Sequence, residues 1–173
     1  MTKVLALLSI IALAAAAPIL AEDAGVVHSA SGSGQAHFFD PFRTFEFNAV
    51  ERSDGSVSGQ VQLQARSTPD RHDTRGVHVE VDCLNVIGNL AIVSGIITKS
   101  SADPGSPGAL GNVAVFAVED NGEGASAAPD RITLLFTFIP EIFPPGTPLC
   151  ELLGPADAAP LLMPIEHGNV QVR

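Results

Sequence analysis

Residues 76–100 constrain this chain more than any other stretch. Val77, Val79, Val81 and Cys83 alternate with His78, Glu80 and Asp82, the period of two that sets one side of a strand against a core and the other in water. Gly88-Asn89 follows, a pair that tolerates positive φ and so reverses the chain. The returning arm, Leu90 to Thr98, is apolar on both faces apart from Ser94 and Gly95, as in a strand covered on both sides. The expectation is a β-hairpin whose second arm lies at the centre of the core.

The same alternation recurs on either side. Phe45, Phe47 and Ala49 alternate with Thr44, Glu46 and Asn48, and Asp54-Gly55 turns the chain into Val57 to Arg66, with Gln60, Gln62 and Gln64 facing outward. Val26-Val27-His28 reads as an earlier strand, Ser31-Gly32-Ser33-Gly34 as a flexible turn or bulge after it, and Phe39-Asp40-Pro41 as a break. Ser67 to Arg75, which includes His72-Asp73, reads as a polar loop. Asn112 to Glu119 is apolar on both faces, and Arg131 to Ile139 places Ile132, Leu134, Phe136 and Phe138 on one side. Neighbouring strands joined in this way predict an all-β fold, an antiparallel meander closing into a barrel of about eight strands so that no edge is left open. A two-sheet β-sandwich is the alternative.

From Pro140 onward the prolines preclude a long regular element, while Ile142, Phe143, Leu149, Leu152, Leu153, Leu161 and Leu162 are too apolar for a solvated tail. Residues 140–173 are therefore expected to pack across an open end or edge of the sheet, anchored at Cys150, with a last short strand at Asn169 to Val172. No repeat or internal boundary divides residues 22–173, which read as a single β domain.

Lys3 followed by the apolar run Val4 to Ala17 has the form of a secretory signal peptide over residues 1–21, with cleavage after Ala21, or after Ala17 as second choice. The run is shorter than the roughly 20 residues a membrane-spanning helix needs. The expectation is an exported protein, periplasmic or extracellular and not membrane-embedded. Without Lys3 the chain carries 8 basic against 19 acidic residues, so nucleic acid and anionic membranes are poor partners. The absence of Trp and Tyr argues against an outer-membrane barrel with aromatic girdles. Cys83 and Cys150 are the only cysteines, and in an exported chain a disulfide between them is the economical reading.

Two constellations are candidates for chemistry. Asp120, Asn121, Glu123 and Asp130 gather oxygen ligands on a glycine-rich turn, the chemistry that calcium requires, although the spacing is not that of an EF-hand and Asp-Asn-Gly is also ordinary turn sequence. Calcium is the one cofactor this suggests. His78, Glu80 and Asp82 project from one strand face and would form part of an acid/base or metal cluster if a second strand supplied partners; as a solvated strand face they would do nothing. No nucleophile elbow, zinc-protease, phosphate-loop or dinucleotide motif is present.

Val81-Asp82-Cys83-Leu84-Asn85-Val86-Ile87-Gly88-Asn89-Leu90-Ala91, with Val118 to Gly124 and Asp130 after it, resembles a group of small, uncharacterised exported bacterial proteins. The resemblance runs from Gly32 to the strand at Arg131. It implies a β-rich exported domain and brings no activity or site residue with it. The leading expectation is thus an exported non-enzymatic β-barrel that binds a small apolar ligand inside the barrel or a protein partner at its loops. A calcium-stabilised structural module and an enzyme built on His78, Glu80 and Asp82 are the alternatives.

Overall fold

The computed structural model describes residues 24–37, 42–66, 75–124, 126–144 and 147–173. The expected signal peptide over residues 1–21, the expected break at residues 39–41 and the His72-Asp73 loop lie outside the described residues. Ten strands form one antiparallel sheet: β1 (Val26–His37), β2 (Phe42–Arg52), β3 (Val57–Arg66), β4 (Arg75–Ile87), β5 (Leu90–Ser100), β6 (Val113–Glu119), β7 (Arg131–Ile132), β8 (Phe136–Phe138), β9 (Met163–Pro164) and β10 (His167–Val172). β1 to β6 pair as sequence neighbours, the meander that the hairpin signals predict.

The sheet curls until its ends approach one another. β7 and β8 both pair with β6 and are two pieces of one broken strand. β9 pairs with β7, and β10, two residues further on, pairs with β1. Residues 163–172 therefore touch both ends of the sheet. With each broken strand counted once, the wall has eight members, as expected of the barrel rather than the sandwich.

Inward side chains of every long strand meet in one apolar core that includes Phe45, Phe47, Val61, Val79, Val93 and Phe116. The Phe47 and Phe116 rings meet edge to face, with centroids 5.3 Å apart. Among the described residues, the void beside Phe45, Phe47, Phe116 and Leu135 holds about 10 Å³, room for no more than a water. The expected internal ligand chamber is thus replaced by packed side chains, because three phenylalanines and the β-branched rows of β3 to β6 occupy it.

Ser31-Gly32-Ser33-Gly34 is not a turn but the middle of β1. Ala30, Gly32, Gly34 and Ala36 form its inward row, opposite Ala49, Phe47, Phe45 and Arg43 on β2. A Cβ on Gly32 would stand 3.0 Å from Phe47 Cε1, and one on Gly34 would stand 2.9 Å from Phe45 Cζ. The glycines are strand residues kept small so that the neighbouring rings have somewhere to lie.

Candidate functional site

Two one-residue insertions build the site. On β4, Val81 pairs with Gly95 and Cys83 with Ser94, so Asp82 is an extra residue with no partner of its own. A bulge of this kind turns the side chains that follow it to the opposite face. Val77, Val79 and Val81 point into the barrel, but Cys83 points out. The second insertion lies between β7 and β8. Val118 pairs with Ile132 and Val115 with Phe136, so three steps along β6 correspond to four along its partner. Ile132 accordingly joins the interior, while Phe136 and Phe138 emerge on the outside. Thr133 stabilises the break: its hydroxyl accepts the Ala117 N–H at 2.9 Å and donates to the Leu134 carbonyl.

Both insertions deliver side chains to the same outer surface. There Cys83, Leu90, Ile92, Val115 and Ala117 make a second apolar cluster, covered by Cys150, Ala158, Leu162 and Leu153 from the proline-rich segment. That segment crosses the outer wall of β4, β5, β6 and β8 rather than an open end or edge of the sheet. It consists of short turns around a four-residue helix, α1 (Pro155–Ala158), as its prolines dictate. The Cys83–Cys150 disulfide fastens it to β4, and Asn85 Nδ2 donates to the Cys150 carbonyl at 3.4 Å.

The cover does not fit flush. Between it and the wall lies an apolar chamber of about 290 Å³, lined by Val115, Phe136, Phe138, Leu152, Leu153 and Leu161. Phe143 and Leu149 form its partition from an adjoining cleft of about 570 Å³ that opens past Ile96, Val113, Pro140 and Pro144. Phe143 meets Phe138 edge to face, with centroids 5.6 Å apart. Ile139, Ile142 and Leu152 remain more than half exposed around this region.

Asp82 stands at the mouth of the cleft. Ser94, which is 2% exposed, donates its hydroxyl to Asp82 Oδ1 at 3.3 Å. Asp82 is exposed on its outer side, yet the cleft wall partly desolvates its carboxyl and pushes it above the usual aspartate range, and the Ser94 hydrogen bond opposes that shift only in part. Glu141 is the other charged residue lining the cleft.

No protein-family model, curated protein or solved structure matches this chain.

His78 and Glu80 do not accompany Asp82. They lie on the open outer face of β4, in a shallow polar groove with Glu46, Gln60, Gln62 and Lys99. Glu46, Gln62, His78 and Lys99 form one cross-strand row there. The bulge divides the trio between the open strand face and the mouth of the cleft.

Asp120, Asn121, Glu123 and Asp130 do come together, at the seam of the sheet. Asp130 Oδ1 accepts the Asn121 N–H at 2.8 Å and Oδ2 accepts the Val170 N–H at 2.7 Å. Asp120 Oδ1 accepts the Gly122 N–H, and Oδ2 accepts the Val172 N–H at 3.0 Å. Glu123 Oε1 faces the amides of Asn169 and Gln171. The Asp120 and Asp130 carboxylates serve the edge of β10 as a neighbouring strand's carbonyls would, where β7 is too short to reach, while Glu123 binds only the side-chain amides. Among the described residues, no group of three or more His, Cys, Asp or Glu is placed to hold a metal ion. Likewise, no helix among them is long and apolar enough to cross a membrane.

Alternation alone places Phe136 and Phe138 on the same side as Ile132, whereas the break between β7 and β8 sets them on the face opposite to Ile132. One signal was present: Leu134-Leu135-Phe136 and Cys83-Leu84 set apolar residues side by side, which a regular half-buried strand does not do.

Proposed function

We propose that this protein is an exported binding module that holds a small apolar ligand between the outer wall of its barrel and its disulfide-fastened C-terminal cover. The observation that carries the reading is the chamber and cleft behind Phe143 and Leu149. The chamber is a concave, apolar space, and together with the cleft it falls in the size range of sites for small organic molecules. The packing around Phe45, Phe47 and Phe116, which leaves a void of only about 10 Å³, supports the same reading. Export rests on the leader-like first 21 residues and accords with the Cys83–Cys150 bond, which persists in an oxidising compartment.

A neutral naphthylamine dye tests the proposal, with little background because the chain has neither Trp nor Tyr. Expected is saturable, blue-shifted emission at one dye per chain. The double variant Leu153→Phe/Leu161→Phe, which fills the chamber from the cover side, should reduce dye affinity at least about tenfold with the far-ultraviolet dichroism unchanged. Absence of saturable emission, or equal affinity in the filled variant, would overturn the reading.

A further inference from the structure

We propose that the ligand carries a protonated amine, held at the Asp82 carboxylate while its apolar body lies beneath the C-terminal cover. This deepens the binding role proposed above and rests on it. The geometry is that of a bipolar site: an apolar space with one acidic corner. Asp82 is the residue inserted at the β4 bulge, so its side chain is placed by a backbone irregularity that a continuous strand would not need. It faces Ser94 from β5 and shares the cleft with Glu141 from the cover; no Lys, Arg or His lines that cleft. Two carboxylates with no basic side chain beside them favour a cation and disfavour an anion in the same position.

The Asp82 carboxyl, at the exposed mouth of the cleft, has no ion-pair partner among the described residues. An ammonium group would supply that partner, and its N–H bonds would be charge-assisted. The ligand class is therefore an aliphatic or aryl-alkyl amine with an apolar tail, set in a protein whose net charge of −10 further favours cations.

The oxidised protein is titrated at pH 7 with decylammonium, 1-decanol and decanoate, each displacing the neutral dye. Decylammonium should bind about tenfold tighter than decanol, the scale of one charge-assisted hydrogen bond, and decanoate should bind weakest. Asp82→Asn keeps the size of the side chain and removes its charge. It should bring decylammonium to within about twofold of decanol measured on the same variant. Equal binding of amine and alcohol in the unaltered protein would overturn the proposal, as would a preference for the amine that survives Asp82→Asn. Failure of the dye and all three decyl compounds to bind would instead overturn the binding role itself.

Discussion

The two halves of the barrel wall share an interior and differ on the outside. On β2 and β3 the outward row reads Glu46, Asn48, Gln60 and Gln62, and it faces solvent. On β5 and β6 the corresponding row reads Leu90, Ile92, Val115 and Ala117, and it is buried. A sheet that is polar outside needs nothing further; one that is apolar outside must be covered. The difference teaches where to look for binding: a cover made of proline-broken chain cannot interdigitate with the wall as strands do, and the spaces it leaves are the chamber and cleft.

The largest expected effect comes from releasing the cover. Cys83→Ser/Cys150→Ser removes a link across 67 positions, worth roughly 4 kcal/mol in the chain-entropy model. Denaturant melts should show a loss of that order, and dye affinity should fall with it as the outer cluster becomes accessible. If stability falls and dye binding does not, the cover is a brace and not a wall of the site.

Next is the open half, where the constraint is inside. Gly32→Val would bring a Cβ to 2.7 Å from the Asn169 carbonyl oxygen and 2.9 Å from Val170 Cγ2. Overpacking of this kind costs about 1–3 kcal/mol. Ser31→Thr, on the exposed side of the same strand, should change the unfolding free energy by less than about 0.5 kcal/mol. Equal effects would mean that the two faces of β1 are not distinguished as described.

The smallest effect lies at the seam between the halves. Arg131 Nε donates to Glu119 Oε2 at 2.5 Å, and that bond holds the Glu119 carboxyl below its usual value. A carboxyl lowered by folding contributes stability above its unfolded pKa and loses it as pH falls through the lower, folded one. Glu119→Gln should therefore cost under about 1 kcal/mol at pH 7 and nothing once the acid range has protonated both states. Stability profiles of the two proteins from pH 7 to pH 2 should converge at the acid end.

Much of the wall was legible because alternation is a local property. Val57 to Arg66 and Val77 to Val81 declare their inward rows residue by residue, and the two apolar faces of β5 announced that something covers it. The glycines of β1 were misleading for a physical reason: Gly-x-Gly is permissive in a turn and equally suited to lying under a ring, and only Phe45 and Phe47 on β2 decide between them.

The sequence by itself determined the strand grammar, the meander and the pairing of its only two cysteines. Those follow from periodicity, short turns and redox chemistry, all of which act over a few residues or leave a single choice. The tertiary structure alone decided the site. One inserted residue at Asp82 and one between Ile132 and Phe136 reverse which face the next side chains occupy, and an insertion exists only relative to the strand opposite. The position of the cover, the acidic corner of the cleft and the use of Asp120 and Asp130 as substitute strand acceptors all depend on that long-range register, which no stretch of chain carries alone.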